Sequence, residues 1–171
     1  MKKIILIGSG GSGKSTLARK LGEILFIEVY HLDAIFWKPG WIGTPTEEQK
    51  AVQEELISRK SWIIDGNYGS TMDIRLQAAD TIIFFDLSKW VCLYRVLKRR
   101  FQYRNKKRED MGEGCEERIN FRFLKWVWKY PDKQKPIILE KLNRLSKEKE
   151  IIILKSQNDV QELLARVKLL K

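Results

Sequence analysis

The sequence predicts an α/β protein, three layers deep (α/β/α), with a five-stranded parallel sheet between helices and a helical lid over one end. Three observations predict it. Five short runs, each almost wholly apolar and mostly rich in Ile or Phe, recur along the chain, as strands do when a parallel sheet buries both of their faces. Segments with apolar residues at helical spacing separate these runs. The residues that look chemical, a glycine-rich loop and two aspartates, fall just after the first three runs, and open parallel sheets bind ligands at the carboxyl ends of their strands.

The first run, Lys3–Ile7, reads as a buried strand. Residues 14–25 then place Leu17, Ala18, Leu21, Ile24 and Leu25 at helical spacing. Ile27–Tyr30 is the second strand, and HLDAIFWKPGWIGTP, full of aromatics, Gly and Pro, reads as a loop. Thr46 with Gln49 forms a capping box for a helix to about Arg59. Trp62–Ile64 is the third strand and runs into DGNYGS, with a short helix from about Thr71 to Ala78. Thr81–Phe85 is the fourth strand, ending at Asp86. Ser88 caps a long helix from Lys89 to about Tyr103. The polar stretch NKKREDMGEG interrupts it; helix resumes near Cys115 and ends by Tyr130, because Pro131 follows. Lys135–Leu145 is a further helix, Ile151–Leu154 the fifth strand, and Asp159–Leu170 a closing helix.

A length of 171 residues suits one domain with a substantial core. No apolar run approaches the roughly 18 residues that span a bilayer, and Ile4–Ile7 is too short for the core of a signal peptide. The expected compartment is therefore the cytoplasm. Cys92 and Cys115 have no metal-ligand spacing and read as two reduced thiols. The net charge of +11 is concentrated: Lys89 to Arg108 holds nine Lys or Arg and no acid. Such a field attracts polyanions, either nucleic acid or the phosphates of a nucleotide.

Gly8-Ser9-Gly10-Gly11-Ser12-Gly13-Lys14-Ser15 matches G-x-x-x-x-G-K-[ST] in full, between a strand and a helix. A phosphate chain needs several converging donors. Backbone amides converge only where the loop curls tightly, which glycine permits, and the following helix points its positive end at the same spot. Lys14 would reach the β- and γ-phosphates. Ser15, with Thr16 beside it, begins the helix, and the Ser15 hydroxyl would ligate Mg²⁺. Asp65 in WIIDGNY, a carboxylate ending a buried strand beside this loop, can hold the same Mg²⁺ through its water shell; Asp86, which also ends an apolar strand, is the alternative. Trp37, Trp41 and Tyr68 can line a pocket for a flat acceptor or pack the local structure together.

Through GSGGSGKST, HLDAIFWKPGW, WIIDGNY and YRVLKRR, the whole chain resembles the adenylate-kinase-like branch of the P-loop kinases, and more narrowly bacterial DNA topology modulation proteins. The resemblance implies a P-loop NTPase fold, ATP and Mg²⁺ as cofactors, an acceptor-side insert at about 33–60 and a lid at about 95–122. It implies that Arg95 stacks on adenine and Arg99 binds phosphate, with Arg108 and Arg118 as paired lid arginines flanking an acidic stretch. It implies that Asp33 orients an acceptor hydroxyl and takes its proton, and that Arg75 holds an acceptor phosphate. The insert carries Lys38 but no arginine, a departure from strict adenylate kinases.

The reading favoured is a kinase acting on a nucleotide, nucleoside or other small hydroxylated acceptor, as a monomer or homodimer, with no membrane partner. A nucleic-acid-binding regulator affecting DNA topology and an ATP hydrolase or switch are the alternatives. The chain carries no recognised DNA-reading module, and the aromatic loop would be wasted on a hydrolase.

Overall fold

The computed structural model describes residues 1–103, 110–115 and 120–169. Five parallel strands form one sheet: β1 (Lys3–Gly8), β2 (Val29–His31), β5 (Trp62–Asp65), β6 (Thr81–Phe85) and β7 (Glu150–Leu154). Their spatial order is β2-β5-β1-β6-β7. The chain builds outward from β1 in both directions, so the strand order reverses beside it. That reversal opens a crevice at its carboxyl end.

Ile4, Ile5, Leu6 and Ile7 are wholly buried. Side chains alternate across a strand, so Ile4 and Leu6 pack against α1 (Lys14–Leu25) and α8 (Gln157–Leu169), through Leu17, Leu21 and Leu163. Ile5 and Ile7 face the opposite layer. There α3 (Thr46–Ser58), α4 (Met72–Ala78), α6 (Phe121–Lys133) and α7 (Lys135–Leu145) contribute Leu56, Leu76, Tyr130 and Leu142. A third cluster, Cys92, Val96 and Val127, joins α5 (Lys89–Gln102) to α6.

The structure departs from the sequence expectations locally. The expected loop at 31–45 contains a short helix, α2 (Leu32–Phe36), and an antiparallel hairpin, β3 (Trp37–Lys38) with β4 (Ile42–Gly43). The Thr46–Gln49 capping box does not form: Pro45 takes the cap position, and Gln49 Nε2 donates to the Thr44 carbonyl at 2.7 Å. The helix expected from Cys115 starts at Phe121, where the Asn120 side chain accepts from the amides of Arg122 and Phe123. It also runs through Pro131 to Lys133. Proline removes one donor from the ladder, and the helix closes beyond it at the Gln134 cap, whose N–H donates to Tyr130 O at 3.0 Å.

Candidate active site

The loop between β1 and α1 starts from steric necessity. A Cβ on Gly11, whose φ is +75°, would stand 2.5 Å from the Cys92 carbonyl oxygen and 2.9 Å from Val96 Cγ2, so α5 approaches this loop as only glycine allows. Gly13 caps α1 in a left-handed conformation without a side-chain hydrogen bond, and the first turn of α1 holds no acid. The orphan amides and the dipole of α1 are thereby left to an incoming anion. Ser12 Oγ is buried and finds no hydrogen-bond partner among the described residues.

Lys14 folds back beneath this loop, its Nζ donating to the carbonyls of Gly8 at 2.9 Å and Ser9 at 2.8 Å. Burial lowers the pKa of this ammonium, and the charges of Asp65 and Asp33 offset that only in part. Asn67 ties β5 to the loop from the other side. Its Nδ2 donates to Gly8 O at 2.8 Å and its Oδ1 accepts from Gly8 N–H at 3.2 Å.

The register of β2 on β5 sets His31 opposite Asp65. Asp65 is 4 % exposed, and its Oδ1 lies 2.6 Å from His31 Nδ1. Burial pulls the His31 imidazole down, but the hydrogen bond and charge of Asp65 together outweigh it and leave the imidazole above its usual value. Asp33, in the first turn of α2, accepts from Tyr68 Oη at 2.9 Å.

On α5, Arg95 Nη1 donates to Ser12 O at 3.2 Å and its Nη2 reaches Gln157 Oε1 at 3.4 Å. Arg99 lies one turn further along the same face and its charge acts on Lys14. The segment 110–115 docks on the β3–β4 hairpin: Gly40 N–H donates to Gly114 O at 3.2 Å, and the buried Cys115 thiol donates to Lys38 O at 3.2 Å.

These elements enclose one cleft of about 820 Å³. Gly10 to Thr16 of the loop line it, as do Asp33, Trp37, Trp41, Asp65 and Tyr68. Arg95 and Arg99 line it from α5. Gly8 and Ser9 stand behind the wall, meeting it through their carbonyls' bonds to Lys14. Arg75 has a different place from the one expected. Its side chain is fully buried behind the cleft, with Nη2 donating to Asn67 O at 3.1 Å, and burial pushes its pKa down to about 10. Arg108 and Arg118 lie outside the described residues. Asp86 is not in the cleft wall; it pairs with Lys135 at 2.7 Å.

Sequence reasoning missed Asn67, which reads as a turn residue, and Arg19, which also lines the cleft. Arg19 stands four residues beyond Ser15 on α1, a spacing that puts both on one helix face. Two cleft residues, Trp41 at φ 65° and Tyr68 at φ 25°, hold backbone conformations that side chains rarely adopt. Such strain concentrates at functional sites.

No protein-family model and no curated protein matches the chain. Solved structures do. A gluconokinase from Sinorhizobium meliloti 1021 aligns with TM-score 0.57 at 19 % identity, over 99 % of this chain and 93 % of its own. The shikimate kinase from Acinetobacter baumannii, in complex with shikimate, aligns with TM-score 0.60 at 18 % identity, over 99 % and 92 %. The fold is that of the P-loop small-molecule kinases.

The residues present fit a magnesium nucleotide. The loop is a cradle of amides closed by glycines that a Cβ would obstruct. Ser15 and Asp65 offer only oxygen, the donor type Mg²⁺ takes. Among the described residues, no helix is long and apolar enough to cross a membrane.

Proposed function

We propose that the chain is an ATP-dependent kinase that transfers the γ-phosphoryl group to a hydroxyl of a nucleotide, nucleoside or other small acceptor. The observation that carries this reading is the shared cleft: the phosphate loop and Asp33, a carboxylate ahead of the acceptor-side hairpin, line one cavity. The loop amides and the amino end of α1 grip the phosphates, and Lys14 exchanges its two carbonyl partners for phosphate oxygens. Arg95 and Arg99 flank the nucleotide from α5. Asp33 orients the acceptor hydroxyl and receives its proton, while Trp37, Trp41 and Tyr68 shape the acceptor side. Ser15 and Asp65 would hold Mg²⁺, which when bound neutralises charge on the transferring phosphate. Positioning and charge neutralisation are most of what phosphoryl transfer requires.

Arg108 and Arg118 would supply further lid cations, and Arg75 acts through Asn67 rather than on an acceptor phosphate. The likeness to topology modulation proteins, the cytoplasmic location and a monomeric or homodimeric state belong to the same proposal. The basic segment does not favour a nucleic-acid regulator, since Arg95, Arg99 and Arg100 line the cleft. The test is ADP release from Mg·ATP across a panel of hydroxylated acceptors. Turnover should depend on the acceptor; turnover indifferent to every acceptor would make the chain a hydrolase.

A further inference from the structure

Asp33 is not held by its own helix alone. Tyr68 Oη donates to Asp33 Oδ1 at 2.9 Å, and the side chain of Trp37 neighbours the Tyr68 phenol in the same cleft. A carboxylate can only accept, so the direction of the bond is fixed: Tyr68 to Asp33. The three residues come from β3, the turn after β5, and α2. Tyr68 occupies its strained φ of 25°, and its ring meets Phe36 edge-on at 5.0 Å. Burial first, and then the charge of Asp33, keeps the phenol protonated far above its ordinary range. Tyr68 is therefore a donor at every pH at which a carboxylate titrates.

We propose that Tyr68 is a positioning residue that fixes the Asp33 carboxylate for the acceptor hydroxyl through this one-bond relay. The inference rests on the kinase reading for the role of Asp33, but the relay itself is testable without an acceptor. A hydrogen bond to the charged form of a carboxylate favours that form. Among the described residues, the charged groups that share the cleft with Asp33 are Lys14, Arg19 and Lys20 of α1, Asp65 of β5, Arg95, Arg99 and Arg100 of α5, and Asp110; Arg75 of α4 acts on Tyr68. None of them changes when a single hydroxyl is removed.

The experiment is a carbon-detected NMR titration of the Asp33 carboxyl in the full chain, free of metal and nucleotide, assigned by its absence in Asp33→Asn. Tyr68→Phe keeps the ring and its contact with Phe36 and removes only the hydroxyl. Its Asp33 midpoint should rise by about one pH unit. A Tyr68→Phe midpoint within about 0.2 unit of wild type overturns the relay. Should Tyr68→Phe not fold, fluorotyrosine incorporated into the wild-type chain, a stronger donor of the same shape, should lower the Asp33 midpoint, and an unmoved midpoint overturns the relay equally. With an acceptor that wild type uses, Tyr68→Phe should shift the acid limb of kcat/KM to higher pH at unchanged ATP affinity. An unshifted limb counts against the relay. Failure of wild type to use any acceptor strikes the kinase reading instead and leaves the titration result standing.

Discussion

Gly11→Ala should cost the protein both stability and nucleotide affinity. The magnitude follows from two separate faults. At φ +75° the new Cβ sits in a left-handed backbone, which costs roughly 1–2 kcal/mol. It would also stand 2.5 Å from the Cys92 carbonyl and 2.9 Å from Val96 Cγ2. A backbone carbonyl cannot swing aside, so α5 must move, and overpacking of this kind costs about 1–3 kcal/mol. The sum is about 2–5 kcal/mol, a fall in melting temperature on the order of 10 °C for a chain of this size. The displacement of α5 carries Arg95 away from Ser12, so Mg·ATP should bind about tenfold more weakly or worse. Gly69→Ala is the control, since its Cβ would meet nothing within 4 Å. Thermal unfolding and calorimetry of the two variants provide the assay. If Gly11→Ala melts within about 2 °C of Gly69→Ala and binds Mg·ATP equally well, the close approach of α5 to the phosphate loop is refuted.

Asp33→Asn should lower kcat by about 10²–10⁴ while Mg·ATP affinity in calorimetry stays near wild type; equal loss of both would deny Asp33 its acceptor-side role. In Gly112→Ala the added Cβ would stand 2.0 Å from the Trp37 carbonyl oxygen, displacing segment 110–115 from the hairpin. Steady-state kinetics should show kcat/KM for the acceptor down roughly tenfold with ATP affinity spared. Asp80 responds to acid. Burial alone would raise its pKa, but Thr81 Oγ1 and the amides of Lys3 and Lys2 outweigh that and hold it below the usual carboxylate value of 3.8. Its stabilising contribution is therefore present above that value and fades as pH falls through the lower folded one. Asp80→Asn should melt lower at neutral pH and lose part of the acid dependence, as thermal scans across pH would show.

The sheet was legible because its strands are short, largely apolar runs and the three central ones are buried on both faces, Ile4–Ile7 wholly so. The phosphate loop was legible because its geometry demands particular residues at fixed spacing. What escaped notice depends on contacts between distant segments. The β3–β4 hairpin has two residues in each strand and is clamped by Gly114 and Cys115, more than seventy positions away. The pairing of His31 with Asp65 comes from the register of two strands that are neighbours only in space. Arg75 looked like a ligand-binding cation because nothing local reveals that α4 turns it into the interior. Pro131 argued for a helix end by a local rule that packing of Val127 and Tyr130 overrode.

The central claim is that residues 8–15 grip the phosphates of a nucleotide with Lys14 as the mobile cation. Titration calorimetry of Mg·ATP into the wild-type chain and into Lys14→Ala tests it most directly. Wild type should bind and Lys14→Ala should lose nearly all affinity and turnover while keeping its fold by circular dichroism. Equal binding by both proteins, or none by wild type, would contradict it.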